Sequence, residues 1–97
     1  MKAELTFLGL LNRGGRILFG PSLEHRLGKV DLLLIATDAA HPERMEAKAK
    51  TANTITRKAY TKAELGQALG YDELSFVAIK GKKEAKAFFA KAKGEEI

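Results

Sequence analysis

The stretch VDLLLIAT, residues 30–37, decides the fold. From Leu32 to Ala36 every side chain is apolar, with none of the alternation expected of a strand that has one wet face. An unbroken apolar run of this length, with turn signals on both sides, is the pattern of a central strand covered on both faces. It is far too short to cross a bilayer. Asp38 closes it. SFVAI, residues 75–79, repeats the pattern and predicts a second central strand.

Working outward from these strands, the remaining segments fall into alternation. Residues 2–12 predict a helix: Leu5, Leu8 and Leu11 recur at near-helical spacing, Phe7 and Leu10 widen the stripe, and Gly14-Gly15 ends it. Residues 16–19 form a short strand. Pro21 suits the first position of a following helix, because its missing N–H costs nothing there. Leu23 and Leu27 then face the core, and Gly28 stops the helix. HPERMEAKAKTA, residues 41–52, predicts a helix with Met45, Ala49 and Ala52 on one face, and a weak strand follows at 54–57. TKAELGQALG starts with a capping box, Thr61 and Glu64, and ends at Gly70. Residues 82–93 predict a last helix that buries Ala85, Phe88, Phe89 and Ala92 beneath a lysine-rich outer surface. Helices alternating with four short strands imply an α/β fold, a three-layer α/β/α sandwich. One domain over residues 1–97 is expected, with the acidic tail 95–97 frayed.

Ninety-seven residues suit one core, burying roughly 60–70% of the unfolded surface. There is no cysteine, so disulfides, thiol catalysis and thiolate metal sites are excluded. Glu4, Thr6 and Asn12 interrupt the first apolar segment, which therefore does not read as a signal peptide. A soluble cytoplasmic protein is expected, with no membrane partner. The net charge of +5 and pI near 9.6 favour a polyanionic partner. That charge is uneven: residues 80–94 carry six lysines and one acid, whereas 38–79 are balanced.

Catalytic constellations are scarce. His25 and His41 are the only histidines, and neither has metal-ligand spacing with another ligand. Asp38, at the end of a central strand, stands where α/β sheets often place a general base, but a turn or cap residue is the stronger reading. RGGRILFG lacks the spacing and the lysine of a phosphate loop. No enzyme activity, cofactor or metal is expected. Binding remains. The start of the Pro21 helix would present unsatisfied N–H groups and a positive dipole end to an anion. Arg26 lies four residues after Ser22, where its guanidinium can grip a phosphate with two donors. Lys29, Lys80, Lys82 and Lys83 join this site if the strand of Phe76 lies beside that of Ile17.

FLGLLNRGGRILFG, LLLIATDAAHPER, KAELGQALG and SFVAI, in this order and spacing, resemble the bacterial branch of the ribosomal L-seven-Ae/L-thirty-e family. The resemblance implies a mixed four-stranded sheet and binding to kink-turns, sharply bent RNA motifs with tandem sheared G·A pairs. It implies that Gly20, Ser22, Leu23 and Arg26 stand at the RNA-contacting positions, and that residues 72–75 form the second contacting loop. Where that family carries asparagine and glutamate to read guanine edges, this chain has Ser22 and Leu23. Asp72 and Glu73 place negative charge in the loop. Phosphate and shape contacts are therefore expected to outweigh base reading.

The expected function is that of a ribosomal or ribosome-associated protein docking structured RNA, ribosomal RNA among the candidates, through Gly20, Ser22, Leu23, Arg26, Lys29, Phe76, Lys80, Lys82 and Lys83. A monomer is favoured. The alternative is a protein-interaction module without RNA binding, in which Leu23 with Phe7 or Phe19 makes an apolar contact patch.

Overall fold

The computed structural model describes residues 2–93, apart from the side chains of Pro21 and Ser22. The elements in chain order are α1 (Ala3–Arg13), β1 (Ile17–Phe19), 3₁₀ turns at Pro21–His25 and Leu27–Lys29, β2 (Leu32–Ile35), α2 (Glu43–Thr51), β3 (Ile55–Arg57), α3 (Lys62–Leu69), β4 (Phe76–Ile79) and α4 (Lys82–Ala92). The sheet order is β1-β4-β2-β3. β4 runs antiparallel to both β1 and β2, while β2 and β3 are parallel, so the sheet is mixed.

The unbroken apolar run of β2 is explained by cover on both faces. Leu32 and Leu34 join Leu5, Leu8, Leu65 and Phe88 in the larger core, on the side of α1, α3 and α4. Leu33 and Ile35 join Leu23, Leu27, Val30 and Ala49 on the other side, beneath the 3₁₀ turns and α2. No residue of β2 is more than 1% exposed. The three layers expected from the alternation of elements are present.

Local signals set several boundaries. In α3 the Thr61 side chain accepts from Glu64 N–H and Glu64 reaches back to Thr61 N–H, while Gly70 ends the helix at φ 85. Gly9 permits the close crossing of α1 and α3: a Cβ there would come within 2.9 Å of the Ala68 carbonyl oxygen. Two expectations fail locally. Leu10 is 56% exposed rather than part of the buried stripe of α1. The helix expected at residues 21–27 is instead a five-residue 3₁₀ turn followed by a three-residue one. A proline and a glycine bracket too few residues to offset the cost of α-helix nucleation, and i→i+3 bonds close sooner.

Long-range polar contacts then fix the layers. The Tyr60 hydroxyl donates to Glu4 at 2.7 Å, tying the segment before α3 to α1. Burial, reinforced by that hydrogen bond and the neighbouring Glu4 charge, pushes the Tyr60 hydroxyl well above the ordinary tyrosine range. Thr54 donates to the Leu27 carbonyl at 2.8 Å, anchoring the second 3₁₀ turn to the start of β3. The expectation of a frayed tail at 95–97 lies outside the described residues.

Candidate nucleic-acid interface

The expected site was assembled on the adjacency of β1 and β4. They are neighbours, but they run antiparallel, with Phe19 opposite Val77 and Ile17 opposite Ile79. Strand direction therefore divides the candidate residues between the two ends of the sheet. Gly20 and Phe76 stand at one end, and Lys80 at the other. Four residues of strand, roughly 13 Å, separate Phe76 from Lys80.

At the Gly20 end the chain leaves the sheet through φ 103, ψ −178, a region that only glycine occupies readily. A Cβ at Gly20 would meet nothing within 4 Å, so the requirement is conformational rather than steric. Leu23 N–H donates to the Gly20 carbonyl at 3.1 Å, and Arg26 N–H to the Leu23 carbonyl at 2.9 Å. A turn this short lacks the aligned peptides that give an α-helix start its partial charge. The anion cradle expected from a helix N-terminus is therefore not built here. Leu23 is 1% exposed and belongs to the second core, so it supports the turn from below and is not available to touch RNA. Its spacing to Leu27, both buried, already pointed inward. The side chain of Ser22 lies outside the described residues.

The same end is largely engaged with itself. Ala36 N–H donates to the Ser75 carbonyl and Thr37 N–H to the Tyr60 carbonyl, both at 2.8 Å. Asp38 Oδ1 accepts from Lys62 N–H at 2.8 Å, capping α3 rather than the helix that follows it in sequence. Asp38 is thus a structural carboxylate. Glu24 pairs with Arg44 at 3.2 Å, which fastens the first 3₁₀ turn to α2, and its other oxygen lies 3.5 Å from the neighbouring His25 Nε2. Phe76 is half-buried against the second core. Tyr71, a residue not anticipated, is 51% exposed and meets Phe19 edge-to-face at 5.1 Å. Asp72 and Glu73 beside it are exposed acids.

The opposite end is basic. Lys80 N–H donates to the Arg16 carbonyl at 2.8 Å, and Asp31 N–H donates to the Ile79 carbonyl at 2.9 Å. Gly81 N–H donates to Asp31 Oδ2 at 2.8 Å, which locks the start of α4 to the entry of β2. These bonds bring Lys29, two residues before Asp31, to the end that carries Lys80, Lys82 and Lys83. Lys29, Lys82 and Lys83 are exposed and Lys80 is half-buried. Among the described residues none of these four enters an ion pair, whereas Arg16 is 3.8 Å from Glu84. Arg26 is exposed and lies between the two ends, where the 3₁₀ turns meet.

The apolar patch of the alternative reading does not form: Leu23 is buried, and Phe7 and Phe19 are half-buried against the larger core. No group of three or more histidine, aspartate or glutamate side chains among the described residues is placed to hold a metal. No helix among them is long and apolar enough to cross a membrane.

No family model matches the chain. No curated protein matches it either. Solved structures do share its fold. One is a protein with unknown function from Bacillus halodurans C, at TM-score 0.85 and 20% identity, covering 96% of this chain and 99% of that one. Another is the Giardia lamblia 15.5kD RNA binding protein, at TM-score 0.73 and 16% identity, covering 93% of this chain and 82% of that one. At these identities the likeness establishes a shared fold: this chain has the α/β architecture of those two proteins, with four lysines free of ion pairs at one end of its sheet among the described residues.

Proposed function

We propose that this chain is a small RNA-binding protein, ribosomal or ribosome-associated and cytoplasmic, that docks structured, kink-turn-like RNA. The observation that carries the reading is the group of Lys29, Lys80, Lys82 and Lys83, brought together from two distant segments and free of ion pairs among the described residues. The fold shared with the Giardia protein supports it.

Each lysine at that end neutralises a phosphate and releases a counterion, giving affinity without sequence information. Arg26 extends the contact along the 3₁₀ turns towards Gly20, where a bare backbone allows close approach. With Leu23 in the core, no acid stands at that position to accept from guanine. Discrimination then rests on the shape of the RNA, because a bent RNA alone can follow the surface from the lysines to Gly20.

Competition binding with a kink-turn RNA and a straight duplex of equal length tests this. Preference for the kink-turn by about tenfold or more is expected. Equal affinity for the two would remove the motif, and no binding to either at low salt would remove the RNA reading altogether.

A further inference from the structure

The geometry points to a second docking surface, a groove between β3, an edge strand, and the flank of α4 that takes an extended acidic peptide carrying aliphatic residues. Three features meet there. β3 is an edge strand with β2 as its one neighbour, so its outer side carries backbone groups without a sheet partner. Such an edge is a template for strand addition unless something covers it. Beside it lies an open groove of about 360 Å³ whose apolar wall includes Val30, Ile55, Ala85 and Phe89. Ile55 is 59% exposed, an unusual place for a β-branched aliphatic side chain on an unprotected edge.

Charge identifies the occupant. Lys82 and Lys86, one helical turn apart, rim the groove. Arg57, at the C-terminal end of β3, lies over the Phe89 ring at 5.5 Å, and Lys93 continues the basic rim along α4. The acid in the lining is Asp31, whose Oδ2 is held by Gly81 N–H. In a peptide laid along β3 every second side chain would face α4: an aliphatic one would rest on Ile55 and Phe89, and a carboxylate two residues away would face the Lys82 and Lys86 ammonium groups. An RNA strand would satisfy the cations but leave the aliphatic wall without a match.

This surface shares Lys82 with the residues assigned to RNA, whereas Ile55 and Lys86 belong to it alone, so substitutions at those two separate the readings. Titrating the ¹⁵N-labelled full chain with a synthetic peptide in which serine fills every second position and isoleucine and glutamate take turns at the positions between provides the test. Amide shifts confined to residues 53–57 and 82–89 are expected, with slower solvent exchange of β3 amides. Ile55→Lys and Lys86→Glu should each weaken binding at least fivefold while the rest of the spectrum is unchanged. A peptide in which serine replaces isoleucine should bind at least tenfold more weakly. Equal binding of that serine peptide, shifts elsewhere on the surface, or stronger binding of oligouridylate at residues 53–57 would each overturn the proposal.

Discussion

The two ends of the sheet are built on opposite principles. At the end where β1 and β2 finish, most polar groups apart from the exposed Asp72 and Glu73 are engaged internally: Thr37 and Ala36 N–H on backbone carbonyls, Asp38 on the start of α3, and Glu24 on Arg44. At the end where β4 finishes, the carboxylates are also occupied, Asp31 by Gly81 N–H and Glu84 by Arg16, but four lysines have no such partner among the described residues. The first end spends its chemistry on holding the fold, and the second leaves charge for a ligand. The bare backbone of Gly20 and the unpaired lysines are thus separated along the strands.

Substitutions at the Gly20 end should therefore act mainly on stability. Leu23→Ala should have the largest effect, about 3 kcal/mol in denaturant unfolding, from lost burial and the cavity left behind. RNA affinity of the folded fraction should change little, and a large affinity loss at unchanged stability would restore Leu23 as a contact residue. Gly20→Ala should cost about 2 kcal/mol, wholly through backbone strain, since its Cβ has open space. An alanine variant as stable as the wild type would mean that the turn relaxes without consequence.

Tyr60→Phe should cost about 1.5 kcal/mol by leaving buried Glu4 without its donor. The sign of its pH dependence follows from the raised hydroxyl. Tyr60 keeps its proton in the folded protein, whereas in the unfolded chain it loses it near the ordinary tyrosine value of about 10. Its contribution is full below that pH and declines as pH rises above it. Chemical denaturation between pH 8 and 11 should thus show an alkaline loss in the wild type that the phenylalanine variant lacks in part. The smallest effect is expected from Arg26→Ala, which lies between the ends. It should lower RNA affinity roughly threefold to tenfold, with stability within about 0.5 kcal/mol of wild type. A collapse of binding on this single change would move the centre of the interface to the 3₁₀ turns.

Much of this was legible in the chain itself. The doubly covered strand at β2, its companion at β4, the capping box of α3 and the lysine-bearing face of α4 each follow from local pattern. Locality is also what limits the reading. The pairing of β1 with β4 entered only as a condition, and their relative direction depends on connections that span the whole chain; direction alone splits Gly20 from Lys80. The 3₁₀ geometry of residues 21–29 keeps the apolar spacing of Leu23 and Leu27, so the inward face was readable while the helix type was not. Asp38 has the form of a cap, yet its N–H partner belongs to a residue 24 positions away. Asp31 and Tyr60 find their partners 50 and 56 positions away, and nothing near them in sequence announces either contact.

Salt dependence of RNA binding by the Lys80→Ala, Lys82→Ala, Lys83→Ala variant tests the division between the ends most directly. If these ammonium groups meet phosphates, the slope of log affinity against log salt should be shallower than in the wild type by about 3, and affinity at moderate salt should fall by roughly a hundredfold. A slope and affinity equal to those of the wild type would contradict the account and leave the basic end without a role in RNA binding.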